Sequence, residues 1–405
     1  MATGVSPAGA GLRWRGGFGW VWGAAVVSRF GDALRGVALP LLAVRVTDSA
    51  FLVSVVAAAQ FLPWIVFGLV GGAVADRVDQ RRVMAGVDAL RAVVMGVFAV
   101  VVWAGEVRVW MLVGVAFVLS ALQTLFDNAA TALLPAVVPR EALGRANGRL
   151  MTGQEIAYRF VGGPLVPVAL GASLALPYAV DAVSFALAAA MVATLRVRPT
   201  GKRPAAQALR HDIADGLRAL WADRVLRTLA GATVVCNTAV GAVIGVLVLH
   251  ITGWLGAGPT GYAVVLTAYG AGTVAAGPLA GRFADRFGQA RVLVWATAAE
   301  AVALVVFGTV RSLPVAAGAL AVFGFAGMLT MVIEVTVLQQ RSPAAMTGRI
   351  SAAFRTATVA GTPLGALLGG ALAELLALNA PVLAAAALLA CGAVMLVPTL
   401  TARMN

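Results

Sequence analysis

The sequence predicts an all-α membrane protein with twelve transmembrane helices arranged as two six-helix pseudo-repeats. Three observations lead to this fold class. Of the 405 residues, 61% are hydrophobic and only 12% are charged, with a mean hydropathy of +0.93, whereas soluble domains carry about 25% charged residues. Apolar stretches of the roughly 20 residues that cross a bilayer follow one another along the chain. A charged loop motif occurs twice, once in each half of the sequence.

The apolar stretches are separated by short polar breaks and run from Gly17 almost to the end of the chain. Each is long enough to cross the hydrocarbon core as a helix, which satisfies its backbone hydrogen bonds within one segment. Numbered in chain order as spans 1 to 12, the predicted segments are 17–43, 51–75, 83–104, 109–136, 147–171, 173–195, 227–252, 261–284, 291–310, 313–338, 349–374 and 378–399.

The net charge of +13 comes from basic residues at one end of the predicted bundle. With a cytoplasmic N-terminus, only Arg45, Arg108 and Arg311 fall in external loops, and the other basic residues outside the spans are cytoplasmic. This bias over short loops predicts that both termini are cytoplasmic. The basicity therefore reflects membrane topology, and we expect no nucleic-acid partner. The arginine, alanine and glycine bias with a single lysine is typical of a GC-rich bacterial genome, which places the chain in the bacterial plasma (inner) membrane.

The repeated motif follows spans 2 and 8. The first copy reads GGAVADRVDQRR (71–82) and the second reads GRFADRFGQAR (281–291). At an offset of 209 residues, the equivalent positions are Gly72 with Gly281, Asp76 with Asp285, and Arg77 with Arg286. Other short segments repeat at nearly the same offset, so the two halves are interpreted as a duplication. Since each half has an even number of spans, the two repeats have the same orientation in the membrane.

The duplication predicts three regions. Residues 1–195 form an N-terminal six-helix half (the N half), residues 196–226 form a cytoplasmic linker, and residues 227–405 form a C-terminal six-helix half (the C half). Apolar residues recur at helical spacing within the linker, which predicts an amphipathic helix on the cytoplasmic membrane surface. These residues are Leu209, Ile213, Leu217, Leu220 and Trp221.

The pattern G-x-x-x-D-R between spans 2 and 3, echoed between spans 8 and 9, resembles the signature loop of the major facilitator superfamily. Within that superfamily, the segments SRFGDALRGVALPLLAV, AQFLPW and LLPAVVPREALGRANG resemble the branch of bacterial exporters that includes enterobactin exporters and macrolide efflux proteins. The resemblance implies the major facilitator fold, secondary transport by alternating access, and a central cavity lined by spans 1, 4, 7 and 10.

The resemblance also implies that the repeated loops form a conformational latch, which closes the cytoplasmic side in the outward-facing state. The alternative is a tight turn whose arginines follow the positive-inside rule. The latch candidates are Gly72, Asp76, Arg77, Arg81, Gly281, Asp285, Arg286 and Gly288. The sequence departs from the superfamily pattern at Asp79, where glycine is usual, and span 4 lacks the arginine found in many proton-coupled drug antiporters.

Charged residues inside spans are costly, by about 2.5 to 3.5 kcal/mol each at a helix centre, and they mark cavities or buried partners. Arg29, Asp32 and Arg35 share one face of span 1, Asp127 lies in span 4, and Glu334 lies in span 10. We expect Asp32 first, and then Asp127 and Glu334, to carry the coupling proton. Asn237 in span 7 occupies the position equivalent to Arg29 and is a further cavity candidate. The alternative is that these charges only neutralise one another as buried ion pairs.

Three further residues are secondary candidates. Glu155 and Arg159 in span 5 have i, i+4 spacing, and their simplest interpretation is a structural salt bridge. Arg355 is a basic residue inside span 11.

The sequence lacks the motifs of an enzyme or of an ATP-driven pump. The only lysine is Lys202. A phosphate-binding loop around it would need Gly at position 196 and Ser or Thr at position 203, but these positions hold Arg196 and Arg203. No metalloprotease or nucleophile-elbow pattern occurs, and the two cysteines have no metal-binding spacing. We therefore expect no catalysis, no cofactor and no metal site.

These observations predict a monomeric secondary transporter whose partners are a small-molecule substrate, protons and the lipid bilayer. The predicted activity is export of an amphipathic small molecule, such as a drug, a siderophore or another secondary metabolite, by proton antiport. A proton-linked importer of a small metabolite and a non-transporting membrane receptor on the same fold are the alternatives. The sequence does not identify the substrate, because a fold does not determine the chemistry of its cavity.

Overall fold

The computed structural model of the chain describes residues 17–65, 79–138, 142–195, 209–343 and 346–400, and these ranges are helical apart from short connecting turns. Within them, nine helices are long and apolar enough to cross a membrane, and a shorter apolar helix covers Ala50–Ile65. Span 1 is also a long helix, although it carries several charges, and span 5 is a helix with a π-helical segment. Within the described residues, each of the twelve predicted spans thus coincides with a helix, which confirms the fold class.

The helices of the N half follow the predicted spans closely. Their bounds are Gly17–Val46 for span 1, Ala50–Ile65 for the described part of span 2, Gln80–Trp103 for span 3, Val109–Val137 for span 4, Leu143–Glu155, Ile156–Gly162 and Gly163–Ala172 for span 5, and Leu176–Ala193 for span 6.

The C half begins after a linker helix at Leu209–Ala222. Its spans are bounded by Arg224–Leu249 and His250–Trp254 for span 7, Pro259–Ala276, Gly277–Leu279 and Ala280–Phe287 for span 8, Gln289–Thr309 for span 9, Leu313–Arg341 for span 10, Thr347–Val359 and Gly361–Leu375 for span 11, and Ala380–Leu396 and Val397–Leu400 for span 12.

The two copies of the repeated loop start the next span in different ways. Asp79 is the N-cap of span 3, and its carboxylate accepts hydrogen bonds from the backbone N–H groups of Arg81 and Arg82 at 3.1 and 3.3 Å. The equivalent Gly288 has a φ of +84°, a conformation that favours glycine. The aspartate that departs from the signature therefore replaces the glycine turn with a side-chain cap.

Small residues allow close packing of the spans in the C half. Gly241 and Gly245 of span 7 face the backbone of Thr362 and Ala366 of span 11, and any added Cβ would collide with that backbone. Close backbone approach through small residues is the usual way for helices to associate in a membrane. Spans 7 and 11 therefore form a rigid pair within the C half.

The turns between spans alternate between two faces of the bundle. We call the face that carries Gly17, Ala193 and Leu209 the linker face; there Phe18, Val138 and Ala146 form a small apolar cluster. The other face, called the opposite face, carries the turns 47–49, 104–108, 173–175, 255–258, 310–312 and 376–379.

The two halves contact each other through span 2 with spans 7 and 11, and through span 5 with span 8. At the opposite face, a Glu374 carboxylate oxygen accepts hydrogen bonds from Ser49 Oγ at 3.2 Å and from the Phe51 N–H at 3.0 Å. Farther along the same helix pair, Gly370 of span 11 packs on Ser54 of span 2. The opposite face is therefore closed by contacts between the halves.

The linker helix packs on the C half. Gly216 lies against the backbone of Arg349 and against Ala353, Asp215 pairs with Arg349 at 3.7 Å, and Leu220 is buried in an apolar cluster of the C half. The linker thus contains a helix over Leu209–Ala222. The expectation that its apolar side lies on the membrane surface was wrong for Leu220, because this side chain is covered by protein.

Candidate functional site

The predicted charged face of span 1 is a linked ion-pair array. Asp32 is buried and accepts a hydrogen bond from Arg35 Nη2 at 2.5 Å, while Arg29 Nη1 lies 3.6 Å from its other oxygen. Arg35 also donates from Nε to Asp181 of span 6 at 3.0 Å. The structure therefore brings Arg29, Asp32 and Arg35 together as predicted, and it adds a carboxylate from span 6.

A second part of the array lies between spans 3 and 4. Arg91, which is fully buried, donates to Asp88 at 3.2 Å and to Gln123 Oε1 at 2.6 Å. Gln123 in turn donates from Nε2 to Asp127 at 2.7 Å. Asp127 is thus connected to an arginine through a glutamine. Span 4 itself has no arginine, as the sequence shows, and the arginine linked to Asp127 comes from span 3.

Aromatic rings enclose this second part. The Arg91 guanidinium lies over the rings of Phe126 and Phe185, 5.3 and 5.1 Å from their centroids. Cation–π contacts of this kind are stronger where the cation is desolvated. They hold Arg91 inside the N half, against side chains of spans 4 and 6.

The array has more carboxylates than guanidinium groups. We call it the N-half charge cluster, and among the described residues its charged members are Arg29, Asp32, Arg35, Asp88, Arg91, Asp127 and Asp181. With every group ionised, the cluster carries one net negative charge. Oxygen atoms of Asp88 and Asp181 are buried without a hydrogen-bond partner in the described structure. An uncompensated charge is costly at low dielectric, so the cluster favours binding one proton, which would bring its net charge to zero.

Glu334, the candidate of span 10, contacts span 7. Its carboxylate Oε1 is 2.8 Å from Thr233 Oγ1, and the same hydroxyl is 2.8 Å from the Leu229 carbonyl oxygen of its own helix. A threonine hydroxyl has one proton and can donate only once. When Glu334 is protonated, it can donate to Thr233 Oγ1, which then donates to the Leu229 carbonyl oxygen, so both short contacts are hydrogen bonds.

Glu300 and Asn237 are two further polar residues inside spans of the C half. Glu300 of span 9 is buried, and its carboxylate faces Gly327 of span 10. Neither Glu300 nor Glu334 forms an ion pair with a residue that the structure describes. Asn237, the second C-half candidate, donates from Nδ2 to the Thr358 carbonyl oxygen at 2.9 Å and so joins spans 7 and 11.

A cavity opens beside the N-half charge cluster. Its volume is about 190 Å³. The polar part of its lining comes from Arg29, Asp32, Arg35, Gln60, Ser120, Gln123 and Tyr158, and the apolar and aromatic part from Phe61, Trp64, Ala116 and Leu119. A cavity that combines apolar surface with fixed polar groups suits an amphipathic small molecule.

The secondary candidates lie at contacts between the halves. Arg159 forms the predicted ion pair with Glu155, and its guanidinium also lies 5.3 Å from the ring centroid of Tyr269 in span 8. The Arg355 guanidinium of span 11 lies 4.5 Å from the ring centroid of Trp64 in span 2. Both arginines therefore contact an aromatic ring of the other half.

The latch candidates do not meet within the described structure. Gly72, Asp76 and Arg77 lie outside the described residues. Arg81 donates to the Leu195 carbonyl oxygen at 2.7 Å, at the end of span 6 in its own half. In the second copy, Gly281, Asp285 and Arg286 are exposed, and the guanidinium of Arg286 lies over the neighbouring Phe287 ring. The latch role stays a prediction.

Several residues of the site were missed by sequence reasoning. Asp181 and Glu300 had no assigned role, and Gln123 was not singled out. An acidic residue inside an apolar span signals Asp181 and Glu300. No comparable signal exists for Gln123, because an uncharged amide is common in spans and its importance comes from the two residues it joins.

Comparison with known proteins gives one family and two groups of relatives. The family model described as "Transmembrane secretion effector" matches residues 9–404. Macrolide efflux protein A of Streptococcus pyogenes is 30% identical over 192 residues, 47% of this chain and 47% of that protein, so the match spans about half of this relative. Multidrug efflux pump Tap of Mycobacterium tuberculosis is 28% identical over 386 residues, 91% of this chain and 90% of the relative.

Solved structures with the same fold are more distant in sequence. The nucleoside transporter NupG has a TM-score of 0.76 and 13% identity, covering 95% of this chain and 100% of that one. A bacterial homologue of the iron transporter ferroportin in an inward-facing state has a TM-score of 0.73 and 14% identity, covering 94% of this chain and 98% of that one. At these identities the likeness concerns the fold alone.

Proposed function

The chain belongs to the major facilitator family of transmembrane secretion effectors, and from that premise we propose that it exports an amphipathic small molecule in exchange for protons. The observation that carries the proton part is the charge balance of the site. Among the described residues, the N-half charge cluster has one more carboxylate than it has arginines, and Glu334 has a hydrogen-bond arrangement that fits a protonated acid.

Export is supported by the relatives. The names of macrolide efflux protein A and of the Tap pump describe drug efflux. The cavity beside Trp64 and Tyr158 combines aromatic and polar groups, which suits a molecule with an apolar body and a few hydrogen-bonding groups. We therefore place the substrate in the class of macrolide-like or other drug-like amphiphiles.

The proposed cycle uses two states of the halves. In the structure the opposite face is closed, so substrate would enter from the linker face, which the positive-inside bias assigns to the cytoplasm. Closing the linker face and opening the other would expose the carboxylates to external protons. One proton moving inward is worth about 2.3 kcal/mol per 100 mV, so a single alternating site can drive uphill export.

The geometry separates the roles of the carboxylates. Asp32 is held by two arginines, so its proton uptake would break the array of span 1. Asp127 has an amide partner in Gln123, and Glu334 has a hydroxyl partner in Thr233. We therefore assign the exchanging protons to Asp127 and Glu334, and we assign to Asp32 the positioning of Arg29 and Arg35.

Reconstituted protein tests this proposal. The full chain in liposomes is given a pH gradient, and the flux of radiolabelled erythromycin is followed with and without a protonophore. We expect flux against the proton gradient, abolished by the protonophore. Glu334→Gln and Asp127→Asn should each lower gradient-driven flux by at least about tenfold, equivalent to about 1.4 kcal/mol of coupling, while erythromycin exchange at equal pH persists.

The control is Glu106→Gln, which removes an exposed carboxylate from the turn between spans 3 and 4. It should transport like the unchanged chain. Flux in the same direction as the protons would indicate the importer instead, and binding of erythromycin without any flux would indicate a receptor. Full coupling in both acid variants would contradict the assignment of the protons.

A further inference from the structure

A second cavity lies between the halves at the opposite face. Its volume is about 250 Å³, the space of about eight water molecules at roughly 30 Å³ each. Leu41, Arg45 and Tyr178 line it from the N half, and Thr252 and Pro259 line it from the C half. We call it the opposite-face pocket. It is distinct from the cavity beside Asp32, with which it shares no lining residue.

An unpaired hydroxyl points to a ligand in this pocket. Tyr178 is fully buried, and its ring packs edge-on against Phe98 with centroids 5.0 Å apart. The Tyr178 hydroxyl has no hydrogen-bond partner among the described residues, although it belongs to a lining residue of the pocket. Since a buried polar group without a partner is costly, a ligand that accepts a hydrogen bond from Tyr178 would be favoured.

Two other features of the lining favour a negative charge. Arg45 places an exposed guanidinium at the pocket. Span 8 begins there at Pro259, and its N-cap residue Gly258 provides no side-chain cap for the first turn. The free N–H groups and the positive end of the helix dipole attract anions. The remaining lining is mostly aliphatic, so the pocket suits a small apolar body joined to a carboxylate.

From these features we propose that the opposite-face pocket binds a small apolar carboxylate, which holds the two halves together at this face. Because the lining comes from both halves, opening the opposite face would separate the residues that bind the ligand. A ligand that binds one state alone shifts the equilibrium toward that state. At ten times its Kd, such a ligand favours the closed opposite face by about tenfold. Its effect on transport rests on the proposed function, whereas its binding does not.

Binding is tested with 4-phenylbutyrate, whose benzene ring and carboxylate match the lining. The full chain is placed in nanodiscs of zwitterionic lipid, and the Kd is measured by calorimetry. We expect saturable binding of 4-phenylbutyrate and much weaker binding of its neutral amide. Tyr178→Phe, which keeps the ring packed on Phe98, and Arg45→Gln should each weaken binding by about 3- to 10-fold.

The matched control is Arg108→Gln, which removes an exposed charge from the same face but outside the pocket. Its Kd should be unchanged. Equal affinity for the acid and the amide, or equal loss in all three variants, would overturn the proposal.

The conformational consequence has its own measurement. Spin labels at Asp48 and Leu376, exposed turn residues of the N half and the C half, report the opening of the opposite face, after Cys236 and Cys391 are replaced by alanine. We expect 4-phenylbutyrate to increase the short-distance population and the Tyr178→Phe variant to lose this response. If the distance distribution is the same with and without bound 4-phenylbutyrate, the ligand does not hold the halves together, whatever the result of the flux experiment.

Discussion

At the scale of single residues, the properties of the site depend on which buried polar groups have hydrogen-bond partners and on the net charge of the cluster. Arg91 donates to Asp88 and Gln123, yet its Nε is buried without a partner in the described structure. The surplus carboxylate and this unsatisfied donor show that the N-half charge cluster is not a set of closed ion pairs. Groups coupled this tightly exchange protons as a unit. A cluster that changes its net charge by one proton can therefore respond as a whole when the halves move.

The clearest residue-scale prediction concerns the pair of Glu334 and Thr233. If Glu334 carries a proton that it donates to Thr233 Oγ1, infrared spectra should contain a protonated-carboxyl C=O band that disappears in Glu334→Gln. Thr233→Val should shift this band, because the acid loses its acceptor. Thr297→Val is the control: Thr297 is also buried, but its hydroxyl donates to the Leu293 carbonyl oxygen of its own helix. A spectrum without a Glu334-dependent band at neutral pH would contradict the protonated form.

At the scale of helices, the sequence predicts more of the fold than of the site. Hydropathy places the spans within a few residues, since the length of an apolar run is fixed by the bilayer. It misses details such as the start of span 5, predicted at residue 147 but found at Leu143, because a polar first turn does not look membrane-embedded. Asp32 and Arg35 are predictable from their i, i+3 spacing. Their link to Asp181 is not, because it joins residues 146 positions apart.

Span 5 shows why the helix itself matters for function. Its π-helical segment Ile156–Gly162 carries Tyr158, which lines the cavity, and Arg159, which reaches Tyr269 of the other half. Such segments often occur at functional sites, because one extra residue per turn redirects neighbouring side chains. No residue pattern in this stretch predicts the π-helix, so its presence is learned from the structure.

The element-scale prediction concerns the cap of span 2. Glu374 is on span 11 and accepts hydrogen bonds from Ser49 and Phe51 at the first turn of span 2, so it caps that helix only while the opposite face is closed. Glu374→Ala should remove a cap worth about 1 kcal/mol, equivalent to about fivefold in the equilibrium. In the distance distribution between spin labels at Asp48 and Leu376, the ratio of open to closed molecules should rise by that factor.

Glu106→Ala serves as the control for this change, because it removes an exposed carboxylate from the same face away from spans 2 and 11. A Glu374→Ala variant with the unchanged distance distribution would show that the contact is incidental to closure.

At the scale of the whole molecule, the two states must differ by little free energy for transport to be reversible and fast. The contacts between the halves are of different kinds: the cap at Glu374, cation–π contacts at Arg159 and Arg355, and the close packing of Gly370. Apolar residues of both halves also share one buried cluster, in which span 2 packs on spans 7 and 11. Movement of the halves must therefore separate and remake these contacts, while the tight glycine packing of spans 7 and 11 keeps the C half intact.

The whole-molecule prediction follows from Gly370. A Cβ at this position would collide with the Ser54 side chain of the other half, and the nearest atoms that it would meet all belong to that half. Gly370→Val should therefore leave each half folded but prevent closure of the opposite face, so the Asp48–Leu376 distances lengthen and erythromycin flux is lost. Gly318→Val is the control, because a Cβ on Gly318 meets no atom within 4 Å. Normal flux, or unchanged Asp48–Leu376 distances, in folded Gly370→Val protein would show that this contact does not control the closed state.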